Sequence, residues 1–147
     1  MSRVNQTIQT TSENATADVA ALFSQNLRQG DVILLHGTLG MGKTVFSRAL
    51  IRGLCGSDKI EVPSPTFTLV QMYESPKAVI WHYDLYRLAN EDEIYEIGWE
   101  EALSDGIIIV EWPERLGHLK PEKVIHVTLS DDASDVNIRK IEITYDE

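Results

Sequence analysis

Cysteine is almost missing from this chain: Cys55 is the single one in 147 residues. That excludes an intrachain disulfide and any multi-cysteine zinc centre. Basic residues are also scarce, 13 Lys and Arg against 23 Asp and Glu, for a net charge of −10. Affinity for nucleic acid comes largely from cationic groups that displace phosphate counterions, so a chain this acidic is a poor sole holder of DNA or RNA. Any role on RNA calls for a basic partner. No run approaches the roughly 18–20 apolar residues of a membrane span, and Met1 to Thr11 lacks an apolar signal core. A soluble chain in a reducing cytoplasm is expected. Repeats, low-complexity stretches and Pro/Gly/Ser linkers are absent too, so residues 1–147 are expected to form one domain. His36, His82, His118 and His126 show no ligand-like pairing, and no chemistry is expected of them.

What is present is an ordinary globular composition, 43% hydrophobic, which disfavours disorder. Thr10 and Glu13 have capping-box spacing, and Val19, Leu22, Phe23 and Leu27 follow with helical period until Gly30 supplies a stop. Val32 to Leu35 is a short, continuously apolar run of the kind buried on both faces of a parallel sheet. A helix is expected from Lys43 to about Leu54. Pro63 and Pro65 break the chain, and Phe67–Tyr73 and Ala78–Asp84 predict an antiparallel pair turned around Ser75-Pro76-Lys77. Asn90 with Glu93 predicts a helix over 91–97, extended as a turn by Trp99 to Leu103. Ile107 to Val110 is a second fully apolar strand, and 124–129 with 138–145 predict a terminal hairpin. The class is α/β, with a mainly parallel central sheet, antiparallel additions and flanking helices.

The chemistry is concentrated where the first apolar strand ends. Gly37-Thr38-Leu39-Gly40-Met41-Gly42-Lys43-Thr44 satisfies G-x-x-x-x-G-K-[ST] between a predicted strand and a predicted helix. In such a P-loop, backbone N–H groups curl around phosphates and the helix N-terminus adds positive potential. Lys43 is expected to reach the β- and γ-phosphates from an open site, and the Thr44 hydroxyl to ligate Mg²⁺. A second carboxylate belongs near that metal, at the end of a neighbouring apolar strand. Glu111, after Ile107 to Val110, occupies that position. Asp84 ends another predicted strand; two carboxylates at about 4 Å repel by roughly 4 kcal/mol at an effective dielectric of 20, which a bound cation would offset. Ser64-Pro65-Thr66-Phe67-Thr68 supplies hydroxyls in a loop placed to sense a γ-phosphate. Three functions share these features: an ATPase, a small-molecule kinase, and an adaptor gated by nucleotide without hydrolysis. A kinase lid rich in arginine is not found, and a GTPase is disfavoured by the lack of an N-K-x-D segment.

Taken in order, Gly37 to Thr44, Ser64 to Val70, His82-Tyr83-Asp84-Leu85-Tyr86-Arg87-Leu88 and Glu111-Trp112-Pro113-Glu114 resemble the bacterial TsaE family, the P-loop ATPases of tRNA threonylcarbamoyladenosine biosynthesis. The resemblance covers essentially the whole chain. It implies a P-loop NTPase fold, ATP and Mg²⁺ as cofactors, and the TsaB and TsaD proteins as partners in modifying adenosine 37 of tRNA. On this likeness, TsaD with TsaB transfers the threonylcarbamoyl group, and ATP hydrolysis here supports repeated turnover. It further implies that Gly37, Leu39, Gly40, Met41, Gly42, Lys43 and Thr44 bind the phosphates and that Thr44 and Glu111 hold the metal. Thr66 with Asp84 would join the hydrolytic constellation alongside Glu111, and Thr11 to Thr16 would meet the adenine. Thr38 and Met41 stand where the family commonly has aspartate and alanine; neither supplies a required glycine, so the cradle is expected to form.

Overall fold

The computed structural model describes residues 3–37, 41–65, 68–132 and 134–146. Seven strands form one sheet: β1 (Gln6–Thr10), β2 (Val32–His36), β3 (Val70–Glu74), β4 (Val79–Asp84), β5 (Ile107–Glu111), β6 (Ile125–Asp132) and β7 (Asp135–Tyr145). Their order is β1-β7-β6-β2-β5-β4-β3. The four central strands β6-β2-β5-β4 run parallel, while β3 and the β7–β1 pair add antiparallel edges. The sheet is mixed, with the expected parallel centre and antiparallel additions.

The helices are α1 (Glu13–Ser24), α2 (Lys43–Cys55), the single turn α3 (Glu93–Glu96) and α4 (Trp99–Asp105), followed by a 3₁₀ segment, Pro113–Leu119. Strand periodicity sorts the core into two layers. Ile33, Leu35, Ile80, Ile107 and Ile109 pack beneath Phe23, Phe46, Leu50 and Ile51 of α1 and α2. Val32, Leu34, Trp81, Tyr83, Ile108 and Val110 face the other way, against Ile94, Trp99 and Leu116. No described helix is long and apolar enough to cross a membrane.

Several boundaries differ from expectation. Residues 6–10 are an edge strand, held in register by β7 from Gln6 opposite Ile143 to Thr10 opposite Arg139. The cap of α1 is Ser12, whose Oγ accepts from the Ala15 N–H at 3.0 Å. Thr10 is instead buried at the end of β1 and shares a 2.8 Å hydrogen bond with the Thr16 hydroxyl. The helix ends at Ser24, well before Gly30. Leu22, one of the apolar residues at helical spacing, is 66% exposed. At this end Lys77 Nζ, from the β3–β4 turn, donates to the carbonyls of Ser24, Gln25 and Leu27 at 3.2, 3.0 and 2.6 Å. A lysine thereby satisfies orphan carbonyls and complements the helix dipole. Strand β3 begins only at Val70 within the described residues, because Leu69 has a φ of 68° and turns the chain. The helix expected over 91–97 is reduced to α3, and Gly98, at φ 85°, separates it from α4.

Candidate functional site

A cleft of about 650 Å³ opens where β2, β4 and β5 end. That is where a crevice outside the carboxyl ends of parallel strands is expected to take a ligand. Two glycines bracket the segment between β2 and α2, and Gly42 lines the cleft. Gly37 has a φ of 147°, and a Cβ there would lie 2.7 Å from the Leu129 carbonyl oxygen, so no side chain fits. Gly42, at φ 94°, starts α2 in a left-handed conformation and accepts from the Phe46 N–H at 2.9 Å. Glycine thus stands both at the residue after β2 and at the N-terminus of α2, and a helix N-terminus attracts anions.

Thr44 and Lys43 line the cleft from the first turn of α2. Lys43 was expected in an open site; instead it is 6% exposed, with Nζ 4.1 Å from the centroid of the Trp112 ring. That distance is within the range of a cation–π contact. Trp112 is tilted against Tyr86, ring centroids 4.8 Å apart. Its backbone has a φ of 60°, and Leu69 is the other non-glycine residue with positive φ among the described residues. Both flank this cleft: Trp112 follows Glu111, and the Leu69 carbonyl accepts from the Asp84 N–H at 2.9 Å. Unusual backbone of this kind clusters at binding sites.

Parallel pairing of β4 with β5 sets Asp84 directly beside Glu111. Directly paired residues point to the same face, so both carboxylates lie on the α2 side, and both line the cleft. Asp84 Oδ1 accepts from the Tyr86 N–H at 3.0 Å, and Glu111 Oε2 lies 2.7 Å from His82 Nε2. Ser64 reaches the same space from the preceding loop. The donors are oxygens, the type preferred by hard divalent cations. No group of three His, Cys, Asp or Glu among the described residues could cage a metal alone.

Thr11 and Thr16 line the cleft too, with Ser12 and Glu13. Thr16 is buried and shares its hydroxyl with Thr10. Met41 packs partly buried against the α1–α2 core layer. Thr38, Leu39, Gly40 and Thr66 lie outside the described residues. Sequence reasoning missed four residues. His82, set aside as structural, contacts Glu111, and Tyr86, Asn137 and Arg139 line the cleft. A weak signal existed for His82, which sits two residues before Asp84 and so on the same strand face. Nothing local flagged Asn137 and Arg139, which β7 delivers to the cleft from the far end of the chain.

The glycine turn, the helix N-terminus and the lysine and carboxylates at the strand ends define the P-loop NTPase fold, a nucleotide-binding class. A solved structure, Bacillus subtilis YdiB, superimposes on 100% of this chain and 89% of its own with a TM-score of 0.77 at 24% identity. Residues 10–141 match the family described as "Threonylcarbamoyl adenosine biosynthesis protein TsaE". The TsaE protein of Rickettsia prowazekii is 47% identical over 118 residues, 80% of this chain and 81% of that one. The TsaE protein of Aquifex aeolicus is 39% identical over 132 residues, 90% of each chain. This chain belongs to the TsaE family, whose work is tRNA threonylcarbamoyladenosine biosynthesis.

Proposed function

We propose that this chain is a single-domain, cytoplasmic Mg²⁺-dependent ATPase that acts with the TsaB and TsaD proteins in threonylcarbamoylation of adenosine 37 in tRNA. The observation that carries this reading is the convergence of Lys43, Thr44, Asp84 and Glu111 on one cleft at a helix N-terminus. The backbone N–H groups of residues 37–44, including those of Gly37, Leu39, Gly40, Met41 and Gly42, hold the phosphates. Lys43 leaves the Trp112 ring and moves to the β- and γ-phosphates, where its charge meets a stronger partner than an aromatic face. Thr44 and Glu111 hold Mg²⁺, which when bound neutralises charge that develops on the phosphate oxygens. Asp84, oriented by the Tyr86 N–H, aligns the attacking water and receives its proton, and Thr66 assists from the 64–68 loop. Water adds to the γ-phosphorus, the bond to the ADP oxygen breaks, and ADP and phosphate leave. Thr11 and Thr16 meet the adenine end. The net charge of −10 favours contact with tRNA through protein partners rather than directly.

The test is phosphate release from ATP by the purified chain, alone and with TsaB and TsaD, with Lys43→Ala as blank. Release that rises with the partners and falls by about 10²–10³-fold in the blank is expected, the usual cost of losing one preorganised charged donor. Circular dichroism of Lys43→Ala should match the parent chain. If Glu111→Ala stops hydrolysis yet many rounds of tRNA modification continue, the chain is a nucleotide-gated adaptor instead.

A further inference from the structure

His82 lies one step behind the two carboxylates. It pairs with Ile109 on β5, as Asp84 pairs with Glu111, so all three polar side chains share one strand face. Its side chain is 2% exposed, and Nε2 lies 2.7 Å from Glu111 Oε2. An ionised carboxylate can only accept, so the imidazole donates through Nε2–H. The other ring nitrogen, Nδ1, is buried and has no hydrogen-bond partner among the described residues. A residue kept only for packing would be better served by leucine, which buries no polar atom. The ring makes a short bond to Glu111 through one nitrogen and, among the described residues, leaves the other unsatisfied. We propose that His82 is a positioning residue whose Nε2–H holds Oε2 of Glu111, fixing the carboxylate so that its other oxygen serves the divalent cation.

This inference rests on the reading of Glu111 as a magnesium ligand. A free glutamate samples several rotamers, and each binding event must then select one. A second hydrogen bond behind the carboxylate removes that freedom in advance, the device by which metal ligands are commonly oriented. Asp84 has a different support, the Tyr86 N–H. The backbone thus contributes to holding one carboxylate and a side chain to holding its neighbour.

The experiment measures Mn²⁺ affinity by the electron paramagnetic resonance signal of free Mn²⁺, with a non-hydrolysable ATP analogue present. Nucleotide affinity is measured separately in EDTA. In His82→Leu, Mn²⁺ affinity should drop about 10–100-fold while metal-free nucleotide affinity stays within about twofold, the range usual for losing a ligand's outer partner. His82→Gln carries an N–H long enough to reach Oε2 and should restore most of the loss; His82→Asn, one methylene shorter, should not. Unchanged Mn²⁺ affinity in a folded His82→Leu overturns the proposal. Should that variant not fold, equal Mn²⁺ affinities for the Gln and Asn variants overturn it instead. Glu111→Gln tests the reading beneath: if it binds Mn²⁺ as the parent chain does, Glu111 is not a ligand and His82 has nothing to position. Loss in Glu111→Gln with no loss in His82→Leu leaves the ligand reading standing and removes only the role of His82.

Discussion

The two faces of the sheet are built from the same strands and do different work. On the face covered by α1 and α2, β4 reads Ile80, His82, Asp84 and β5 reads Ile107, Ile109, Glu111, apolar at the start and ionisable at the end. On the opposite face the same strands carry Trp81, Tyr83, Ile108 and Val110, apolar throughout, and Tyr83 meets Trp99 edge to face at 5.3 Å. Period-two alternation lets a six-residue strand be a structural element on one side and a functional one on the other. The difference teaches that burial alone does not separate scaffold from site. Lys43, Asp84 and Glu111 are buried nearly as deeply as the core, yet they border a cleft.

The comparison breaks first at Trp99, which is 1% exposed beneath the aromatic layer. Trp99→Ala should lower unfolding free energy by about 3–5 kcal/mol, as large-to-small core changes do. Chemical denaturation checks the size. ATP affinity, measured well below the melting temperature, should stay unchanged, and a parallel loss of both would dissolve the division between the faces. On the other face, Trp112→Ala should act in the reverse sense. Removing a ring worth about 0.5–1 kcal/mol to the Lys43 ammonium should tighten metal-free ATP binding by about two- to fivefold, read by calorimetric titration. Weaker binding would show instead that the ring contacts the nucleotide.

The smallest effect concerns His36, at the end of β2. Burial, reinforced by His126 with its nitrogen 2.9 Å away, holds His36 below its ordinary value of 6.5. The unfolded chain then binds the proton more readily than the folded one. Stability from this residue is level well above 6.5 and declines as the pH falls through that value toward the lower folded one. The melting temperature should therefore be modestly lower at pH about 5.5 than at about 7.5. His36→Asn should flatten that slope, and an identical slope in the variant would assign it to other groups.

The middle of the fold was legible in the sequence because its signals are local. Strands β2 and β5 are apolar on both faces, and α2 follows a glycine turn and repeats Phe46, Leu50, Ile51 and Leu54 at helical spacing. The edges were not. Strand β1 is mostly exposed and polar, and it is a strand because β7 offers it a ladder, a fact about residues 139–143 rather than 6–10. The same holds within the site. The glycine-rich loop, Lys43, Asp84 and Glu111 carry their chemistry in short motifs. Asn137 and Arg139 join them only through the sheet order that brings β7 round. His82 lay between these cases: its face could be deduced, but its bond to Glu111 required the register of two strands.

The three bonds from Lys77 to the end of α1 and the residues just after it have a mechanical meaning. The first turn of α1 forms one wall of the cleft, and the end of β4 forms another. At their opposite ends these two elements are tied together by one ammonium. The tie is distant from the cleft yet shared by two of its walls, and the β3–β4 turn and the end of α1 cannot part without giving up all three bonds.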